Sequence, residues 1–388
     1  MNLPLTIPFL PMEAKIASEI PMGSEWEYEP KWDGFRCIAF RSGTEVELQS
    51  KAGQPLTRYF PEIVAALRAV RANKFVLDGE LILPVNGRLS FDDLLQRIHP
   101  AASRVVMLSK KHPAQLVIFD LLVDDKGSSL VSHVLADRRK ALETFHARFL
   151  SDNPSIELSG TTRSADAALN WLRTTRGHLD GIVAKRLDQP YLPGERAMLK
   201  IKTIRTADCV VGGFRYAEAK KTVGSLLLGL YDGKLLNHVG FTSSMPAAER
   251  KELTRKLESL VEPPGFTGRA PGGPSRWSTK RSSEWMPLKP DLVVEVQYDH
   301  FTGARFRHGT KFLRWRLDKA PHQCTMKQVA FESRVPLAKL LAHDHNPRPA
   351  IQHRKRGPAP GDLLNPQSGG LQAAAAGVSA RAFRKRQS

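Results

Sequence analysis

The sequence predicts an α+β fold in which a domain of antiparallel sheets and helices is followed by a small closed β-barrel. Two observations carry this. Residues 1–204 mix strands of two-residue alternation with helices of 3.6-residue period, and residues 205–325 hold short strands broken by glycine and aspartate-glycine turns around one intervening helix. A chain of 388 residues with 41% apolar content suits two domains of ordinary size plus extra sequence.

Charge narrows the class of partner. Fifty-eight basic against thirty-nine acidic residues give a net +19, spread along the chain, so a polyanion is expected and nucleic acid ranks ahead of a membrane surface. Residues 1–8 have neither a basic flank nor a long apolar core, which predicts no secretion and no membrane span. Cys37, Cys209 and Cys324 are odd in number and far apart; they fit a reducing cytoplasm and offer no zinc spacing.

Taken in order, the Pro-rich start up to Pro11 reads as an extended arm. A strand from Trp26, a turn at Lys31, and strands over 35–40 and 46–49 read as an antiparallel meander. The turn is Glu29-Pro30-Lys31-Trp32-Asp33-Gly34-Phe35-Arg36, one lysine between two carboxylates, with Trp32 and Phe35 as anchors. Taken alone, it is equally a charged surface turn. Ser50-Lys51-Ala52-Gly53 closes the meander. A helix over 61–71 carries Ile63, Val64 and Leu67 at helical spacing.

Residues 75–83 form a strand interrupted by Asp78-Gly79-Glu80, either a bulge or hairpin or a pair of acids with compensating partners. Ser90 caps a helix whose first turn holds Asp92 and Asp93. The apolar strand 116–123 embeds Phe119-Asp120, helices follow over 135–149 and 164–175, and a strand over 179–186 opens on Asp180-Gly181 and contains Lys185. In the strand 197–202, Lys200 and Lys202 share one face and Leu199 and Ile201 the other. Two lysines side by side need an anion between them or open water.

A domain boundary falls near residues 203–208. Strands over 209–214, 224–231, 235–241, 292–298 and 312–317, with a helix over 247–260, suggest a barrel of the oligonucleotide-binding type. Residues 263–281 read as a mobile basic loop, 326–346 as a C-terminal helix, and 347–388 as a disordered basic Pro/Gly/Ala-rich tail.

The first domain therefore collects a constrained lysine, acids at Asp78, Glu80, Asp120 and Asp180, an aromatic wall at Phe119, and cations at Arg36, Lys51, Lys185, Lys200 and Lys202. Such a set meets the needs of nucleotide chemistry: acids to hold Mg²⁺, cations to neutralise phosphates, and an amine to attack.

Lys31-Trp32-Asp33-Gly34 with Arg36, Ser50-Lys51-Ala52-Gly53, Asp78-Gly79-Glu80, Phe119-Asp120, Asp180 to Lys185, Lys200-Ile201-Lys202 and Arg316-Leu317-Asp318-Lys319 stand in the order of the motifs of covalent nucleotidyltransferases. The set resembles the ATP-dependent DNA ligases, specifically the small stand-alone bacterial ligase C type, over about residues 5–325. The stretch from Val294 to Tyr298-Asp299-His300, Arg305-Phe306-Arg307-His308 and Lys319 particularly resembles that type. Three positions depart from the pattern: Asp180 stands where glutamate is more usual, Lys51 replaces an arginine, and Met198 replaces a tryptophan.

The resemblance implies an adenylation domain of ATP-grasp-like ligase fold over 1–204 and an oligonucleotide-binding domain over 205–325. It implies ATP and Mg²⁺ as cofactors, with Mn²⁺ able to substitute, and a cytoplasmic, nucleoid-associated monomer acting on nicked duplex DNA. Lys31 would become the lysyl-adenylate. Phe119 would stack the adenine near Glu29, Arg36 and Glu80 would surround the ribose, and Glu80 and Asp180 would hold the metal. Lys200, Lys202 and Lys185 would form a cationic wall at the α-phosphate, with Lys51 as a further phosphate cation. Arg316, Asp318 and Lys319 would orient the outgoing pyrophosphate.

With no room for a large DNA-wrapping domain before Lys31, the two-domain core, the 263–281 loop and the tail are expected to grip the nick themselves. RNA ligases and mRNA-capping guanylyltransferases would use the same lysine chemistry. They separate from a DNA ligase by ATP versus GTP labelling and by nicked DNA versus nicked RNA. A non-catalytic nucleic-acid binding protein on a degenerate core would retain DNA without forming an adenylate.

Overall fold

Two facing sheets frame the first domain, with the candidate site between them. The computed structural model describes residues 1–174, 179–202, 205–218, 221–272 and 284–330. The near sheet is ordered β1-β11-β10-β2, with β1 (Ala14–Ile16), β2 (Trp26–Trp32), β10 (Leu179–Arg186) and β11 (Met198–Ile201). The far sheet is ordered β4-β3-β5-β8-β9, with β3 (Phe35–Ser42), β4 (Glu45–Ser50), β5 (Lys74–Ile82), β8 (Gln115–Val123) and β9 (Ile156–Leu158). A small hairpin of β6 (Pro84–Val85) and β7 (Arg88–Leu89) follows β5.

Alternation sorts the side chains into layers. In β3, Cys37 and Ala39 pack with α1 (Pro61–Ala69), α2 (Phe91–Gln96) and α4 (Leu135–Phe149) behind the far sheet, while Ile38 and Phe40 face Met12, Tyr191 and Met198 on the near sheet's side. Both faces of β3 are covered, so it reads as an unbroken apolar run. On the outer face of the near sheet, Tyr28, Ile182, Ala184 and Ile201 pack with Ala168, Trp171 and Leu172 of α5 (Ala165–Thr174). Helix α3 (Ala102–Lys111) was not read from the sequence; it buries only Val105 and Ser109, too few for a clear period.

The structure corrects the first-domain reading at two points. Strands β2 and β3 do not form a meander: β2 pairs with β10, β3 pairs with β4 and β5, and the Asp33-Gly34 link crosses from one sheet to the other. A Cβ on Gly34 would lie 2.0 Å from the Leu81 carbonyl oxygen, so this crossing needs glycine. The sheets are also mixed, because β1 pairs parallel with β11 and β8 parallel with β9.

The expected closed barrel is not found. The second region forms an open six-stranded sheet ordered β14-β13-β12-β16-β19, with β15 paired to β12. Its strands are β12 (Arg205–Tyr216), β13 (Val223–Asp232), β14 (Leu235–Thr242), β15 (Met286–Pro287), β16 (Val293–Tyr298) and β19 (Lys311–Trp315). Among the described residues its edges, β14 and β19, meet only next to β19, at the single bridge Thr242 to Thr310, where the Thr242 hydroxyl donates to the Thr310 carbonyl. Strand number alone does not fix whether two edges find a common ladder. Helix α6 (Arg250–Glu258) contributes Leu257 to the core, and β17 (Phe301–Thr302) with β18 (Arg305–Phe306) forms a hairpin beside the sheet.

Cys37, Cys209 and Cys324 are free and buried. No helix among the described residues is long and apolar enough to cross a membrane. Of the expected helix over 326–346, the described part holds a single 3₁₀ turn, Met326–Gln328, and the rest lies outside the described residues, as do the tail 347–388 and residues 273–281 of the basic loop.

Candidate active site

Glu27, Glu29 and Lys31 fall two residues apart on β2 and project from one face. Glu29 and Lys31 line a cavity of about 730 Å³ together with Val183 and Lys185 of β10, Met198 and Lys200 of β11, Arg36 of β3, Glu80 of β5 and Phe119 of β8. Both sheets thus contribute to one space large enough for a nucleotide.

Lys31 lies inside strand β2, one residue before its end, and not in a turn. Its Nζ is 2.5 Å from Asp180 Oδ2. The pairing of β2 with β10 shifts register between Leu179 and Gly181, and this bulge releases Asp180 from the ladder. Gly181 has φ +143°, and a Cβ there would stand 2.1 Å from the Ile201 carbonyl oxygen, so glycine is required where β11 passes. Desolvation alone would lower the Lys31 ammonium pKa, yet the Asp180 charge and hydrogen bond outweigh it and hold the amine above its ordinary value. Burial alone would raise Asp180, but hydrogen bonding to His300 and the charge of Lys31 hold the carboxyl far below the usual range.

Two acids expected as metal candidates are already committed. Asp78 takes a bidentate pair from Arg36 at 2.6 and 2.5 Å and a hydrogen bond from Tyr191 Oη at 2.6 Å. Asp120 takes a buried bidentate pair from Arg138 at 2.8 and 3.0 Å. Glu80 faces the cavity, and burial pushes its carboxyl up to about 7. No group of three or more potential metal ligands occurs among the described residues. Glu80 and Asp180 are donors of the type that Mg²⁺ takes, a hard cation held by one or two carboxylates plus waters and substrate phosphates, and Asp180 is engaged here by Lys31, Lys202 and His300.

The ring of Phe119 lies beneath Arg36 at 4.6 Å and beside Lys185 Nζ at 4.8 Å. Lys185 is buried and paired with Glu29 at 2.8 Å. Lys200 lines the cavity without a carboxylate partner among the described residues; desolvation, then Lys31 and Lys202, lower its pKa. Lys202, just past β11, pairs with Asp180 at 3.2 Å and with Asp299 at 3.6 Å. Lys51 lines the rim and pairs with Glu13 at 2.9 Å. Arg316, Asp318 and Lys319 do not line the cavity: Arg316 is bidentate to Asp318 at 2.9 and 2.8 Å, and both Arg316 and Lys319 grip Asp208, at 2.7 and 2.9 Å.

The second domain adds two site residues to which sequence reasoning gave no role. His300 Nε2 stands 2.5 Å from Asp180 Oδ1. Arg307 forms a bidentate pair with Asp33, both bonds 2.8 Å, and stacks over Phe91 at 4.1 Å. Both fall inside motif-like stretches, but nothing local says that they cross to another domain.

Behind the cavity, Glu27 is 4% exposed, and desolvation followed by the Glu29 charge pushes its carboxyl up to about 7. A carboxyl raised from 4.5 in the unfolded chain leaves the folded protein holding a proton that the unfolded chain has lost, so stability falls as pH rises between about 4.5 and 7. Glu27→Gln removes that titration. Relative to wild type it is expected to gain about 3 kcal/mol on going from acid to mildly alkaline pH, measured by urea unfolding; a pH-independent difference would refute the assignment.

Known proteins resemble this chain over most of its length. An ATP dependent DNA ligase domain model matches residues 11–202, and an ATP dependent DNA ligase C terminal region model matches residues 219–319. DNA ligase C2 of Mycolicibacterium smegmatis is 43% identical over 349 residues, covering 85% of this chain and 96% of its own length. DNA ligase C1 of the same organism is 44% identical over 343 residues, with coverages of 85% and 96%. A solved structure from a structure-function analysis of Lig E DNA ligases aligns with TM-score 0.52 at 15% identity, over 80% of this chain and 100% of that one, a likeness of fold.

Domain matches in this order define a DNA ligase dependent on ATP. The chain belongs to the bacterial LigC/LigD ligase-domain family of ATP-dependent DNA ligases, enzymes of the nucleotidyltransferase superfamily, and it seals nicked duplex DNA by a covalent ligase mechanism.

Proposed function

We propose that Lys31 is the amine that carries AMP. The observation behind this is its placement in the one cavity that also holds Glu29, Arg36, Glu80, Phe119, Lys185 and Lys200. The neutral Lys31 Nζ attacks the α-phosphorus of ATP, a P–N bond forms, and the bond to the bridging oxygen breaks with departure of pyrophosphate. The 5′-phosphate of the nick then takes the adenylyl group and frees the lysine, and the 3′-hydroxyl displaces AMP as the phosphodiester closes.

Each remaining role follows from position. Phe119 supplies a flat face for the adenine, with the Lys185–Glu29 pair at its edge to read polar atoms of the base. Arg36, fixed by Asp78, and Glu80 border the ribose, while Lys200 and Lys202, with Lys51 at the rim, supply positive charge for phosphates. Glu80 and Asp180 would hold Mg²⁺, or Mn²⁺ in its place, and the metal when bound supplies neutralising charge at the phosphates. With Asp180 so engaged, its hold on the Lys31 ammonium weakens, and desolvation favours the neutral nucleophile.

Arg316, Asp318 and Lys319 must exchange their present pairs with Asp208 and each other to reach pyrophosphate. Lys319→Ala is expected to slow self-adenylation at least about tenfold, the loss of one charge-assisted contact, and to spare sealing of a pre-adenylated nick. Single-turnover assays of the two steps check this, and equal loss in both would contradict it. The domains divide at about residue 204, and the protein works as a cytoplasmic monomer. Intact-mass analysis after incubation with ATP and Mg²⁺, followed by a chase onto nicked duplex, tests the proposal as a whole.

A further inference from the structure

We propose that Tyr191 is a positioning residue for nucleotide binding: together with the Met12 backbone it fixes Arg36, which makes the N-terminal arm part of the nucleotide site. This rests on the reading of Arg36 as a residue that borders the ribose.

Four groups close a circuit behind the cavity. Arg36 donates to Asp78 from Nε at 2.6 Å and from Nη2 at 2.5 Å, and Nη2 donates again to the Met12 carbonyl at 3.2 Å. The Met12 amide donates to Tyr191 Oη at 2.9 Å, and Tyr191 Oη donates to Asp78 Oδ2 at 2.6 Å. Burial, then the Asp78 charge, hold the Tyr191 hydroxyl well above its ordinary pKa, so it keeps the proton that it donates. Donors and acceptors balance around the circuit. The hydroxyl gives its one proton to Asp78, and the hydrogens of Arg36 Nη2 go to Asp78 and Met12.

What remains of Arg36 points to the ligand. A guanidinium carries its N–H donors in one rigid plane, so fixing one end aims the other. Nε and Nη2 are held, while Nη1 has no protein acceptor among the described residues. Arg36 lines the cavity and lies over Phe119 at 4.6 Å, whereas Tyr191 and Asp78 stand behind it and do not line it.

Tyr191 is itself anchored. The residue is 2% exposed, its ring packs with Ile38, Phe40 and Met198 beneath the Arg138 guanidinium at 5.5 Å, and its amide donates to the Val131 carbonyl at 3.0 Å. It lies between β10 and β11, the strands that carry Lys185 and Lys200. On the other side the arm is tied down where Phe9 exchanges backbone hydrogen bonds with the Gln49 side chain at 2.8 and 2.6 Å, and residues 11–14 wall the cavity. Packing alone would be served as well by phenylalanine. The hydroxyl adds a donor to Asp78 and an acceptor for Met12, and both act on the groups that hold Arg36.

Tyr191→Phe tests this in the full chain, because it keeps the buried ring and removes only Oη. Self-adenylation is followed by intact mass in single turnovers at varied ATP with Mg²⁺, normalised to the fraction of chain that takes AMP, so loss of folded protein does not enter. Half-saturating ATP should rise about tenfold, the scale of one hydrogen bond to a charged group, with the maximal rate within about twofold of wild type. Arg36→Lys, which keeps a charge beside Asp78 but loses the fork, should raise half-saturating ATP at least as much. Tyr191→Phe added to Arg36→Lys should then cost little more, since both act through the same guanidinium. A merely structural hydroxyl would lower Tm and leave half-saturating ATP unchanged, or would cost the same in both backgrounds, and either result overturns the proposal. Unchanged half-saturation in Arg36→Lys would overturn the ribose role of Arg36 itself, and the positioning role with it.

Discussion

Lys31→Ala is expected to leave no AMP on the protein at any ATP or metal concentration, while the variant keeps its fold and its affinity for nicked duplex. The loss should be complete because no second amine occupies the same position. Lys185 is buried in its pair with Glu29, and Lys202 is tied to Asp180 and Asp299. Lys200 is the nearest rival: it lines the same cavity, and its pKa is lowered by desolvation and by Lys31 and Lys202. A cavity-lining amine with a lowered pKa is a credible nucleophile on electrostatics alone. Position argues for Lys31, which shares its strand face with Glu29 and meets Asp180, whereas Lys200 meets no carboxylate among the described residues. Intact-mass analysis of Lys31→Ala and Lys200→Ala after incubation with ATP and Mg²⁺ decides it. A full AMP adduct on Lys31→Ala would move the covalent role to another residue.

The sequence made individual strands legible because alternation and apolar runs are local signals. Residues 179–186 and 135–149 fall where periodicity placed them, and Ser90 accepts the Asp93 amide as a helix cap. Pairing was less legible, because nothing near Asp33-Gly34 says that the chain leaves one sheet for another; the close approach to Leu81 that demands Gly34 is made by a residue far along the chain. The same limit applied to the acids. Asp78, Glu80, Asp120 and Asp180 look alike in sequence, but Arg36 with Tyr191 occupies the first, Arg138 the third, and Lys31, Lys202 and His300 the fourth, which leaves Glu80 as the one of the four that lines the cavity. His300 and Arg307 were hidden for a related reason, since their partners lie in the other domain. In the second region the strands were readable one by one, whereas closure depends on whether β14 and β19 share a ladder, and they do not.

Asp180→Asn separates two accounts of one contact. As a partner of Lys31, Asp180 holds the amine protonated, and that alone would make it an obstacle to attack. An amide keeps the shape and removes the charge, so on this account the Lys31 pKa falls and self-adenylation at neutral pH quickens. As a carboxylate that holds Mg²⁺ with Glu80, Asp180 contributes charge that an amide cannot replace, and the rate falls. The second effect should dominate. Removing groups that merely orient a metal ligand typically costs 10–100-fold, so losing the carboxylate itself is expected to slow self-adenylation more than about 100-fold, with partial recovery at high Mg²⁺ and none from raising pH alone. His300, which also loses its carboxylate partner, does not alter this sign, because the carboxylate that it binds is the one being removed. Single-turnover rates measured against pH and Mg²⁺ concentration provide the check. A variant faster than wild type, or one rescued by alkaline pH at low Mg²⁺, would take Asp180 out of the metal set and leave it as the restraint on Lys31.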